Sequence, residues 1–380
     1  MTAKERLLIA LDNQKPDRVP ATPDISNMIP CRLTGKPFWD IYLYNDPPLH
    51  RAYLEAVKYL GIDGWDCYVP LDTTSHDTKE IIKKVIHQDE EKIVVRTTYR
   101  TPDKDLFEEM IYRSGFTPAT SSRLIKKLPE DFEVFIKYFF PDPSDANDTE
   151  YMKWKAEFGD LGISSPGAIY YPGFHYLVEI FDGALEQVAY AYYDYPELFE
   201  KYREVSDDYV VKLVARALVS KPDYLLFGCS GSLTLQSLDI FRHLSLPTLK
   251  TTTRMAKEAG TPTMVHSCGK EKDLVKLCVE ETDLSCINPL EVPPMGDCNL
   301  ADIKNEFGER ISLMGNLHTT EVMLQGSVQD VIAASKKAID DAAANGGFIL
   351  STGDQCGRDT PYENIFAMVE TASNYGKYKS

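Results

Sequence analysis

His266 and Cys268 stand two residues apart at the end of the apolar run Pro262-Thr263-Met264-Val265. On a strand, residues i and i+2 share a face. An imidazole and a thiol are therefore presented side by side, with Ser267 turned away between them. A third soft donor, Cys356, follows another apolar run, Gly347 to Thr352. Three N/S donors without a fourth make an open, catalytic zinc site rather than a closed structural one. The open position suits a substrate heteroatom. A thiol bound there loses its proton and becomes a nucleophile. An ether oxygen is polarised, so that its methyl group is displaced more easily. The residues leave both roles open.

Other polar residues end neighbouring apolar runs. Asn288 and Glu291 lie in Asn288-Pro289-Leu290-Glu291, and Asn316 and His318 in Gly315-Asn316-Leu317-His318. Glu291 is a candidate proton donor or additional zinc ligand, and Asn288 and His318 are candidate catalytic residues. The plainer alternative for each is a hydrogen bond that braces its loop, the preferred reading for Asn316. Asp354 is likewise read as holding the Cys356 loop. The aromatic stretch Tyr170-Tyr171-Pro172-Gly173-Phe174-His175-Tyr176 suits a pocket wall or plain core packing. The eight cysteines include no Cys-x-x-Cys. Cys278 shares an apolar helical stripe with Leu274 and Leu277, and Cys286 sits mid-strand, so both belong in the core. Cys67, Cys229 and Cys298 have no partner at suitable spacing.

These residues need a scaffold that brings strand ends together. Short apolar strands are expected near residues 19–24, 64–70, 161–164, 223–228, 263–266, 284–288, 311–316 and 347–351. From about residue 160 they alternate with amphipathic helices, near 175–192, 195–220, 236–259, 270–281, 327–344 and 361–376. Thr2 with Glu5, Ser327 with Asp330, and Thr360-Pro361-Tyr362-Glu363 carry N-terminal capping patterns. Eight β/α alternations predict an α/β fold, a (β/α)8 TIM-type barrel whose functional side chains gather at the C-terminal strand ends. A doubly wound open sheet is the runner-up, without a dinucleotide-binding glycine pattern to support it. Residues 80–113 read differently, as an antiparallel β excursion from the barrel.

Length and charge set the remaining bounds. The 380 residues are expected to form one barrel domain, residues 1–380. A formal charge of −17 disfavours nucleic acid and anionic membranes as partners. With no membrane-length apolar run and no signal-like start, a soluble, cytoplasmic protein is expected. The sequence leaves the oligomeric state undetermined.

Taken together, the residues resemble the uroporphyrinogen decarboxylase superfamily and, within it, the zinc-dependent corrinoid methyltransferases. The resemblance begins with Lys4-Glu5-Arg6-Leu7 and Lys15-Pro16-Asp17-Arg18-Val19-Pro20. It continues through Asn288-Pro289-Leu290-Glu291, Gly315-Asn316-Leu317-His318-Thr319 and Thr360-Pro361-Tyr362-Glu363-Asn364-Ile365. The methyltransferase branch's His-x-Cys…Cys zinc motif falls on His266, Cys268 and Cys356. The decarboxylase branch's early Arg-Gln-x-Gly-Arg element is absent; the chain reads Ala21-Thr22-Pro23-Asp24-Ile25-Ser26 instead. The resemblance implies the barrel fold, a zinc ion, and a cobalamin corrinoid carried by a separate small protein. The 80–113 excursion and the 22 tyrosines and 16 phenylalanines tilt the expectation toward O-demethylation of a methoxylated, aromatic substrate. Methyl transfer from methylcobalamin to a thiol such as coenzyme M is the alternative. A decarboxylase-like or non-catalytic tetrapyrrole-binding protein comes after both.

Overall fold

A computed structural model describes residues 1–228 and 230–379, with His76 described by its backbone alone. Cys229 lies outside the described residues. Twelve strands form three sheets. They are β1 (Gly64–Asp66), β2 (Glu80–Gln88), β3 (Lys92–Arg100), β4 (Leu106–Arg113), β5 (Phe116–Ser122), β6 (Gly162–Ser164), β7 (Ala168–Ile169), β8 (Leu225–Phe227), β9 (Thr263–His266), β10 (Cys286–Asn288), β11 (Ser312–Leu317) and β12 (Phe348–Thr352).

The fold is α/β and TIM-barrel-like. Strands β7 to β12 form one parallel sheet in sequence order, and β1 pairs with β6, also in parallel. A few backbone hydrogen bonds link the pieces. Ala21 bridges in parallel to Leu350, Asp63 N donates to Ala21 O, and Asp223 N donates to Ser164 O. The first expected strand, 19–24, is thus reduced to a bridge at Ala21. Its apolar residues Val19 and Ala21 are nonetheless fully buried.

Register fixes what faces the middle of this array. Leu226, Met264 and Cys286 are in register across β8, β9 and β10, and Met314 pairs with Ile349 across β11 and β12. All five fall in one buried cluster with Trp65, Ile163 and Tyr224. Two residues further along, the same faces carry His266, Asn288, Asn316 and Ser351. His266 pairs with Asn288, and Asn316 with Ser351. Alternation therefore converts an apolar layer into a polar one at the C-terminal strand ends.

Helices cover the parallel sheet. Lys272–Glu281 and Val328–Ala342 match the expected elements closely. The expected 175–192 helix is broken into Phe174–Ile180 and Ala184–Asp194, with Gly183 at φ 98° starting the second piece. The Thr2/Glu5 and Ser327/Asp330 capping boxes form. The third does not. The helix Tyr362–Asn374 has Pro361 as its cap residue, with no side-chain hydrogen bond, and Thr360 is fully buried.

The antiparallel excursion is a four-stranded sheet, β2-β3-β4-β5. It runs to Ser122, beyond the expected end at 113. The β2–β3 turn is built by Asp89, whose Oδ1 accepts from Glu91 N and Lys92 N. Its outer strand leaves Ile81, Val85 and Ile86 exposed.

Candidate metal centre

His266 is the last residue of β9, and Cys268 lies two residues on. Their side chains meet as the alternation rule requires, with Nε2 3.4 Å from the Cys268 sulfur. The imidazole is oriented from behind. Its Nδ1 lies 2.6 Å from Asn288 Oδ1, while Asn288 Nδ2 donates to Met314 O. The amide nitrogen is thus committed to a carbonyl, so Asn288 Oδ1 accepts the Nδ1 proton. That leaves the Nε2 lone pair toward Cys268, the arrangement a metal-binding histidine requires. Asn288, expected among the catalytic residues, is here a partner that positions His266.

The group that the structure brings together has Asp354 where the sequence suggested Cys356. Among the described residues, His266, Cys268 and Asp354 form a group whose ligand atoms all lie within 4.8 Å of one another. His266 Nε2 is 3.9 Å from Asp354 Oδ1. Cys356 Sγ does not complete such a group with His266 and Cys268. It is fully buried in the main apolar cluster, with its backbone N donating to Asp24 O at 2.8 Å. Burial pushes its thiol up to about 12. The cause of the exchange is the loop after β12. Thr352 Oγ1 donates to Asp354 O, and Asp354 adopts φ 147°. The chain thereby leaves strand geometry between Thr352 and Cys356, in the loop that was expected to carry Cys356 to the mouth.

Two donors about 2.0–2.3 Å from one tetrahedral zinc ion sit roughly 3.3–3.8 Å apart. The observed 3.4 and 3.9 Å separations fit such an ion with small adjustments. Electrostatics agree. Burial, then Asp354, drive the Cys268 thiol well above its ordinary range, and Glu291 adds to this. Its S–H donates to Ser230 Oγ at 3.0 Å. Without a cation the sulfur holds its proton; a divalent ion reverses that balance.

Glu291 and His318 lie beside this group. Glu291 is buried, its Oε2 accepting from Gly269 N. Burial raises its pKa, with Asp354 contributing in the same direction. His318 caps the turn at Thr319–Leu324. Its Nδ1 accepts from Thr320 N and Glu321 N, which puts the ring proton on Nε2. It shares a small recess with Glu291, Met295 and Gly353 but is not part of the donor group. Asn316 Nδ2 donates to Leu290 O, the loop-bracing role expected for it.

Two residues near the site, Asp24 and Glu271, were not anticipated. Asp24, 5% exposed, faces a cleft of about 220 Å³ that reaches His266 and Ser230. Its place at the end of the first expected strand was the available clue, since strand ends are where functional side chains collect. Trp65, Tyr68 and Tyr170 wall the same cleft, so the aromatic stretch contributes one residue to it. Tyr171 and Phe174 instead join the core. Glu271 is fully buried behind the site, its Oε2 accepting from Leu290 N.

The architecture and the strand-end cluster together define an α/β protein of TIM-barrel-like type with a candidate metal centre at its mouth. The uroporphyrinogen decarboxylase (URO-D) family profile matches residues 182–375, just over half of the chain, and the chain belongs to that family. The chain is 30% identical over 139 residues to a methylcobamide:CoM methyltransferase, MtbA, of Methanosarcina mazei. That match covers 36% of this chain and 37% of the relative. It is 24% identical over 176 residues to a methylated-thiol–coenzyme M methyltransferase of the same organism, covering 46% of this chain and 44% of the relative. The matched segments thus span well under two thirds of these relatives. The solved structure of a methyltransferase from Methanosarcina mazei superposes with TM-score 0.68 at 16% identity, covering 99% of both chains, a likeness of fold. Among the described residues no helix is long and apolar enough to cross a membrane.

Proposed function

We propose that the chain is one closed (β/α)8 domain that transfers a methyl group from a corrinoid, carried by a separate protein, to a small thiol. The carrying observation is the convergence of His266, Cys268 and Asp354 at the strand ends, beside a cleft. The names of the curated relatives favour the thiol over the methoxylated aromatic substrate expected from the sequence. His266, Cys268 and Asp354 would hold zinc, with Cys356 two residues from Asp354 as the alternative third ligand. A zinc ion there supplies a Lewis acid that favours the thiolate form of a bound thiol.

The chain's own residues have separate tasks. Asn288 keeps His266 in one tautomer and one orientation. Glu291, anchored by Gly269 N, takes the proton that the thiol gives up. The aromatic cleft walls exclude water and hold the thiol near the mouth, where the methylated corrinoid approaches as the second substrate. In the net reaction the thiol sulfur forms a bond to the methyl carbon. The cobalt–carbon bond breaks with its electron pair left on cobalt, and the thiol proton leaves through Glu291.

The test is direct. Purified protein should contain about one zinc per chain and consume methylcobalamin when a thiol is added. Absence of zinc binding, or demethylation of methoxylated aromatics by reduced corrinoid without thiol alkylation, overturns the reading.

A further inference from the structure

The antiparallel sheet β2-β3-β4-β5 ends in two edges that are built differently. On one side β5 contains Pro118, which has no N–H to donate, and its pairing with β4 shifts register twice. The β4–β5 turn is also tied down, with Phe38 N donating to Ser114 O and Arg358 Nη1 to Gly115 O. On the other side β2 runs nine residues, Glu80–Gln88, without proline. A bulge between Val85 and His87 leaves Glu80 to Val85 in regular pairing with β3. Among the described residues no strand pairs with the outer side of β2. Every residue of β2 except Ile82 is exposed, Ile81, Val85 and Ile86 included.

A run of β-branched residues on an open edge is a template for another strand. The charges on β2 select which strand. Residues directly opposite in an antiparallel pair put their side chains on the same face. A second copy of β2, related by a two-fold axis at Ile82, sets Ile82 against its own copy and Glu80 against Lys84 on both sides of the axis. Ile81 then faces Lys83, whose methylene stem covers it. Lysine on an edge strand ordinarily discourages pairing. An axis centred on Lys83 or on Lys84 does set a lysine against itself, but at Ile82 no lysine stands opposite a lysine. The Glu80 carboxylate lies 3.2 Å from Arg100 Nη1, and both side chains are more than half exposed, which leaves Glu80 open to a second cation.

We propose that two copies of this chain associate through β2, continuing the sheet in antiparallel fashion about Ile82. A two-fold axis uses both edges at once, so the assembly closes at a dimer. Each copy carries a formal charge of −17, but that repulsion is spread over the surface and screened by physiological salt. Nothing in this depends on the chemistry at the mouth.

The experiment is sedimentation velocity of the full-length protein. Between about 1 and 100 μM in ~150 mM salt, the average sedimentation coefficient should climb from the monomer value toward that of a dimer, as a small interface requires. Glu80→Lys and Lys84→Glu each turn two attractive pairs into two repulsive ones and should weaken association at least ~10-fold. The double variant restores both pairs with their signs exchanged and should return to within about 3-fold of the parent protein. Both positions are exposed, and the parent's concentration series stands without the variants. A monomer over the whole concentration range overturns the proposal. So does a dimer that neither single reversal weakens, or one that the double variant fails to restore.

Discussion

The two loops that bring donors to the mouth are built differently. The loop after β9 delivers His266 and Cys268 within two residues of the strand end and is tied on several sides. Ser267 N donates to Asn288 O, Gly231 N to Cys268 O, Gly269 N to Glu291, and Lys270 N to Thr234 Oγ1. Gly269, at φ 92°, packs so closely that a Cβ there would lie 2.1 Å from Thr234 Oγ1. The loop after β12 is held by Gly353 N to Leu317 O, Thr352 Oγ1 to Asp354 O, Gln355 Nε2 to Ser26 Oγ and Cys356 N to Asp24 O, which leave the Asp354 side chain untied. Asp354 lies between those ties, 38% exposed at its side chain and in a backbone conformation that L residues rarely adopt. One half of the donor set is fixed by strand geometry. The other half is a short span with two candidate ligands, Asp354 outward and Cys356 inward. A fixed pair with an exchangeable third donor suits a site that must admit a substrate.

The largest effect should come from breaking the fixed half. Cys268→Ala removes the thiol of the proposed donor group. Zinc content should fall close to zero and methyl transfer should drop on the order of 10³-fold, several kcal/mol of transition-state stabilisation. Zinc retention with near-normal turnover in this variant would show that the fixed half is not the metal site. The next comparison addresses the exchangeable half. If Asp354 is the third ligand, Asp354→Ala should weaken zinc binding by more than ~100-fold, beyond the cost of losing a partner that only orients a ligand, and Cys356→Ala should not. The reverse order, read by competition with a chelator, would place the inner thiol on the ion and assign the aspartate to the loop. Equal losses would mean that the two donors alternate.

The same contrast explains how much the sequence disclosed. Period-2 alternation is a property of strands, and it correctly juxtaposed His266 with Cys268; the alignment of Asn288 with His266 came from the register of β9 and β10. Alternation stopped applying at Asp354, whose φ of 147° no residue pattern announced. Helix and strand alternation from residue 160 onward was legible because each segment buries one face. The early strand at Ala21 was overread, since a bridge of one residue needs only local burial. The antiparallel sheet ended later than expected because β5, Phe116-Thr117-Pro118-Ala119-Thr120-Ser121-Ser122, lacks a run of large apolar residues. Asp24 offered only its place at a strand end as a sign of a site residue, and Glu271 offered none. A lone carboxylate in sequence carries no sign of whether it ends up buried; for Asp24 the partners lie in the distant Thr352–Cys356 segment, and for Glu271 in the nearer Leu290 and Asp297 loop.

Smaller effects sharpen the comparison within the fixed half. Asn288→Ala leaves all three donors in place but frees the His266 ring to rotate and to change tautomer. Zinc affinity should fall about 10–100-fold, the usual cost of losing such a partner, with activity restored by excess zinc. No change in affinity would mean that packing alone orients the imidazole.

The smallest expected effect concerns Glu271, which ties the loop after β9 to the Pro289–Glu291 turn. Its carboxyl accepts from Leu290 N, and Leu290 itself sits at φ 62°. Glu271→Ala strips a buried acceptor from that amide and should cost ~1–3 kcal/mol in a denaturant melt. Burial holds the Glu271 pKa well above its ordinary value. A group raised in the folded state binds its proton more readily folded than unfolded. Its contribution is therefore fully present below the unfolded carboxyl range and is lost as pH rises through the folded pKa. Glu271→Gln keeps an acceptor and never ionises, so it should match the parent protein at low pH and gain relative stability as pH rises. A parallel pH profile for the two proteins would show that Glu271 already sheds its proton without penalty. In that case the loop after β9 would owe its rigidity to Gly269, Thr234 and Glu291 instead.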